Sequence, residues 1–137
     1  MATDKKPLNK ASLITAALVA ALPFIADLIV FGTTGRADRI FDAPGLLLFN
    51  AGFAAAPFIL IGLVMVARKS VTRALWVGAA LSAFIWLAYA LSGRHYHLSA
   101  EGGNANIAIF MVLMIWPFLV TIIMGIIGKY EPDKISN

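Results

Sequence analysis

The chain has 137 residues, of which 61% are hydrophobic and 13% charged, and its mean hydropathy is +0.86. A soluble domain of this size is about half apolar and a quarter charged, so the apolar excess must face lipid. The net charge of +4 comes without a groove-reading module, which sets nucleic acid aside, and the lack of cysteine removes disulfides, thiolate metal sites and thiol redox chemistry.

Four nearly uncharged runs carry the excess. Each is about 20 to 25 residues, the length a bilayer's ~30 Å hydrocarbon core asks of a helix. The expected fold class is therefore an all-α membrane protein, a four-transmembrane-helix bundle in a single membrane domain over residues 1–137. Its helices are expected at about 11–32, 43–67, 74–93 and 107–128, with short tails at both ends. Strands of a membrane barrel would alternate polar and apolar residues, and these runs do not.

The first run follows the basic start "MATDKKPLNK". A signal peptide would end in a small-x-small cleavage site after a short apolar core; here the run continues through Leu28, Ile29, Val30 and Phe31, so it is read as a span. It carries Pro23 and, one helical turn later, Asp27. A carboxylate at the centre of a membrane helix costs about 2.5 to 3.5 kcal/mol and less toward the interface. Asp27 lies about five residues, roughly 8 Å, from the end of its run. Both a hydrated structural aspartate, paired with Arg36, Arg39 or Arg94, and a proton or cation site fit that depth. Arg36, Arg39 and Asp42 follow in the first connection.

The second run carries Asn50 and Pro57; the third carries Tyr89 and ends in "GRHYHLSAEGGNAN", Gly93 to Asn106. Asp27, Asn50, Tyr89 and Asn106 fall at comparable depth and are expected to form one polar cluster, either glue between helices or the lining of a water-accessible cavity. His95, His97 and Glu101 are metal ligands by type. The His-x-His spacing puts both rings on one side only in an extended segment, so metal there is a weak candidate, and the spans contain no histidine pair for haem. Asn104 is placed to cap the fourth helix. Pro23, Pro57 and Pro117 should each kink their helix.

The fourth run, "IFMVLMIWPFLVTIIM", is bulky almost all round. The other three bear small residues at small-x-x-x-small spacing, which lets helix backbones approach closely: Ala16, Ala17, Ala20 and Ala21; Ala51, Gly52, Ala55 and Ala56; Gly78, Ala79, Ser82 and Ala83. Short connections make consecutive helices antiparallel neighbours. With both termini inside, Lys5, Lys6, Lys10, Arg68, Lys69, Arg73, Lys129 and Lys134 are cytoplasmic, while Arg36, Arg39 and Arg94 lie outside. This bias follows the positive-inside rule. The two halves also echo one another. "AALVA" at 16–20 recurs as "AALSA" at 79–83, "GR" at 35–36 as 93–94, and "PFILI" at 57–61 as "PFLVT" at 117–121. Two parallel hairpin repeats about an axis along the membrane normal would account for this. They would place Arg36 opposite Arg94 and Asp42 opposite Glu101 at the outer face.

In size and four-span plan the chain resembles the small multidrug transporters and also several unrelated small bacterial membrane families, a likeness of outline that assigns no family. It departs from the transporters in having a shallow aspartate where they have a deep glutamate, and a one-sided charge bias. The functional expectation is a non-enzymatic integral membrane protein of a bacterial inner membrane. It would act by association, among membrane lipids, with other membrane subunits or with itself, and would need no cofactor. The alternative is a small transporter or channel for a proton, cation or amphipathic solute using Asp27; the weaker alternative is an outer-face metal or haem site.

Overall fold

A computed structural model describes residues 9–65, 71–99 and 107–131. The described residues are helical with short turns: α1 (Lys10–Ala20), α2 (Leu22–Thr33), a 3-10 helix (Ala37–Phe41), α3 (Pro44–Val64), α4 (Thr72–Leu98) and α5 (Ile107–Tyr130). Taking α1 and α2 as one rod, Lys10–Thr33, the molecule has four helices long and apolar enough to cross a membrane. Lys5, Lys6, Arg68, Lys69, Lys134, Glu101, Asn104 and Asn106, and most of both expected tails, lie outside the described residues.

Helix ends follow local chemistry. Asn9 caps α1, its side chain accepting from the Ala11 N–H at 3.0 Å, which satisfies one of the four donors a helix start leaves over. Pro23 has the expected effect: it cannot donate to Val19, and the rod breaks at Ala21, whose N–H reaches only three residues back, to Leu18 at 3.2 Å. α3 and α5 each carry their proline, Pro57 and Pro117, inside a continuous helix.

α2 stops at Gly35, the one positive-φ glycine among the described residues, at 72°. The Arg36 N–H returns to the Phe31 carbonyl at 2.8 Å, the six-to-one bond of a Schellman stop, which needs the left-handed conformation that glycine adopts without strain. At the opposite end of the bundle, α4 begins without a local side-chain cap. Glu131, just past α5, supplies one: its carboxylate accepts from the Arg73 and Ala74 N–H groups at 3.0 and 3.4 Å, a negative charge on a positive helix end.

The packing corrects two expectations. α1 packs mainly on α3, α2 on α4, and α5 on both α3 and α4, while α3 and α4 barely touch. The second and third long helices, though consecutive, therefore stand at opposite corners of the bundle. A two-fold axis along the membrane normal would put the first and third helices at opposite corners, since it carries each hairpin across the centre onto the other. They are neighbours instead, so the two hairpins are not related by such an axis. The Gly-Arg match fails as well: Gly35 and Arg36 form a turn, whereas Gly93 and Arg94 lie inside α4.

Close approach uses part of the small-residue pattern. Ala16, Ala51, Ala55, Gly78 and Ser82 are buried, while Ala17, Ala21, Gly52 and Ala83 are exposed. At the centre, Phe58 and Met124 are fully buried. They meet at Gly78, where an added Cβ would overlap Met124 Sδ and Cγ and stand 3.2 Å from Phe58 Cε1. Two polar ties cross the interior besides: the Ser12 hydroxyl donates to the Phe58 carbonyl, joining α1 to α3, and the Trp116 indole N–H donates to the Leu81 carbonyl at 3.1 Å, joining α5 to α4.

Candidate functional site

Asp27 sits in α2, six residues or about 9 Å before its end at Thr33. Asn50 sits six residues into α3, at a similar depth because the two helices run in opposite directions. Tyr89 lies in α4, neighbour to α2, and its hydroxyl meets Asp27 Oδ1 at 3.3 Å. All three line one cavity of about 310 Å³. Asp27 thus faces a helix interface near the end of the bundle, and three members of the expected cluster converge; the fourth, Asn106, is among the residues not described.

The first connection adds its own charged residues, among them Arg39, one of the three arginines expected near Asp27. The 3-10 helix folds back against α2 and brings Arg39 and Asp42 to the same cavity, with Phe31, Leu46 and Leu47 as apolar wall. Asp42 and Arg39 are also linked through the backbone, the Asp42 N–H donating to the Arg39 carbonyl at 3.2 Å. Nothing in a hydropathy profile points to this fold-back; the signals were "Gly-Arg" as a helix stop and Pro44 as a helix start, which leave only a short arc to join them.

α4 also differs from expectation. It runs to Leu98 rather than stopping at Gly93, so the "GRHYH" segment is helix and not loop. A lone glycine costs a helix about 1 kcal/mol, which its neighbours outweigh, and the Ser99 N–H closes the last turn on the His95 carbonyl at 3.0 Å. The extension carries His97 to the cavity, where its ring packs 5.7 Å from that of Phe31 and its Nδ1 lies 3.2 Å from the Arg36 guanidinium. His95, two residues earlier on a helix of about 100° per residue, points elsewhere and is exposed. The two histidines therefore do not form the pair a shared metal would require, Glu101 lies outside the described residues, and no group of three potential metal ligands occurs among those described. Arg94 is exposed and does not line the cavity.

The result is one compartment of mixed character: a half-buried carboxylate held by a phenol, an amide and an imidazole beside it, and an exposed guanidinium and carboxylate on the connecting segment. Among the described residues, neither Arg39 nor Asp42 has an ion-pair partner. Such a set can bind charge of either sign and donate or accept hydrogen bonds; it has no nucleophile placed beside a base.

No protein-family model, curated protein or solved structure matches the chain.

Proposed function

We propose that the chain is a non-enzymatic integral membrane protein that acts by association within the bilayer, as an accessory subunit of a membrane complex or as a small homo-oligomer. The bias of basic residues supports an orientation with both termini cytoplasmic, in what this reading takes to be a bacterial inner membrane. The observation that carries the reading is α5. Only 11% of its membrane-length stretch is buried, against 28% to 44% for the other three. It buries Val120, Met124 and Gly128, one residue per turn, packs Leu113, Trp116 and Ile127 half-buried against the same core, and exposes Phe110, Met111, Ile115, Phe118, Ile122 and Ile126, of which Phe118 also meets the Phe53 ring of α3 edge-on. Helices associate in lipid through van der Waals fit rather than hydrophobicity, and a bulky helix with few buried residues offers a broad surface for it.

Native mass spectrometry of the full chain in mild detergents tests this. A dimer, a higher oligomer or a stoichiometric membrane partner is expected, weakened when the exposed Ile115 and Ile122 are both changed to Ala. A lone monomer in every detergent overturns the proposal.

A second reading is favoured by the convergence of Asp27, Asn50 and Tyr89 on one cavity: a small transporter or channel for a proton, cation or amphipathic solute. Flux in proteoliposomes should then depend on pH and lose that dependence in Asp27→Asn. A flux that the substitution leaves unchanged removes the aspartate from any such mechanism.

A further inference from the structure

We infer that the cavity at Asp27 is a head-group site for a phospholipid bearing both a primary ammonium and a phosphate. The inference rests on the chain being embedded in a bilayer but not on its associating with a partner or carrying a flux, since a monomer could hold the lipid.

The charges decide the ligand's chemistry. Asp27 engages Tyr89 through Oδ1 alone, leaving its second oxygen to accept, and Asp42 adds a second carboxylate to the same space. A simple anion would meet two like charges. A simple cation would meet Arg39. A zwitterion satisfies both, its ammonium toward Asp27 and its phosphate toward the guanidinium, which binds phosphate in a fork geometry. The acceptors Asp27 Oδ2, Asn50 Oδ1 and the Tyr89 oxygen suit an ammonium with three N–H donors. A quaternary ammonium makes no such bonds and gains chiefly from free aromatic faces, whereas the rings of this wall pack on neighbours, Phe31 with His97 and Tyr89 with Trp86.

Position selects the lipid over a soluble zwitterion. The cavity reaches from the connection to residues about 9 Å inside α2 and α3, spanning the depth at which head groups meet acyl chains. Leu46, Leu47 and Phe31 continue it with apolar surface. Its volume of about 310 Å³ falls at the small end of the range for ligand pockets, about 300 to 1,000 Å³, as suits a head group whose tails stay in the bilayer.

The test is native mass spectrometry of the full, delipidated chain, with phosphatidylethanolamine, phosphatidylcholine and phosphatidylglycerol each added at equal concentration. Phosphatidylethanolamine should be retained about fivefold or more over the other two. Asp27→Asn should lower its retention about tenfold, as expected for loss of a charge-assisted bond, without lowering that of phosphatidylglycerol, which has no ammonium, and Arg39→Gln should lower it about threefold. Arg39 is exposed and makes no side-chain bond among the described residues, so its variant reads out binding even where Asp27→Asn fails to fold. Equal retention of the three lipids, or phosphatidylethanolamine retention unmoved in Arg39→Gln, overturns the site. Displacement of the lipid by equimolar soluble phosphoethanolamine overturns the lipid as occupant and assigns the cavity to a soluble zwitterion.

Discussion

The contact among Gly78, Met124 and Phe58 offers the sharpest test of the packing. Replacing Gly78 by Val places a Cβ where Met124 Sδ and Cγ now lie, and two further methyl groups beyond it. Phe58 and Met124 are both 0% exposed, so neither has free space to enter. Overpacking of this kind costs about 1 to 3 kcal/mol, against which valine's better helix propensity returns about 0.3 to 0.5 kcal/mol. A net loss of roughly 0.5 to 2.7 kcal/mol is expected. Met124→Ala alone should cost about 2 to 5 kcal/mol by leaving a cavity, but it removes the very atoms that the valine meets. The double variant should therefore be more stable than the sum of the single effects by at least about 1 kcal/mol, the scale of coupling between touching residues. Unfolding in mild detergent, followed by tryptophan fluorescence as denaturing detergent is added, measures all four proteins of the cycle. Additive costs, within about 0.5 kcal/mol, would refute the claim that α5 seats Met124 in the notch at Gly78.

Three further outcomes follow from local geometry. Tyr89→Phe should destabilise the chain by about 0.6 kcal/mol and at most about 1.7 kcal/mol in the same unfolding assay, the average and maximum for hydrogen bonds between membrane helices, and should have little effect once Asp27 is already Ala. Gly35→Ala should cost about 1 to 2 kcal/mol from backbone strain alone, because φ is 72° and no atom stands within 4 Å of the added Cβ; Gly35→Asn should cost less. Glu131→Gln should lose about 0.3 to 1 kcal/mol at low salt and progressively less as salt is raised, since what it removes is a charge on the first turn of α4.

Apolar length made the four helices legible in the sequence, and counting inward from their ends brought Asp27, Asn50 and Tyr89 together at a shared depth. The features that escaped share a physical cause. Hydropathy falls at Gly93 because Arg94, His95 and His97 are polar, yet a helix ends where its backbone bonds end, and nothing in that segment breaks them before Ser99. The profile marked a change of surroundings, and the structure shows no change of conformation there. The neighbour order of the helices was equally hidden: short connections require that ends be close, not that whole helices lie side by side, and α3 and α4 satisfy the first condition while their lengths diverge to opposite corners. Glu131 read as part of a polar tail because its partners, Arg73 and Ala74, are distant in sequence. Repeated motifs such as "GR" matched in letters, but Gly35 and Gly93 serve opposite ends, one stopping a helix and the other buried within one.

The break at Ala21 gives the first rod two allegiances. Below it, α1 is tied to α3 through Ser12; above it, α2 is tied to α4 through Asp27. α5 in turn is fastened to α4 by Trp116. Each hairpin therefore contains its own internal polar fastening, and α2 is the arm by which the first reaches the second. During synthesis the amino-terminal pair can settle as a unit before its partners emerge, with the Asp27 carboxylate left open until α4 arrives carrying Tyr89. Severing the chain between α3 and α4 would preserve every one of these fastenings, so two separately made halves carry the information to find each other.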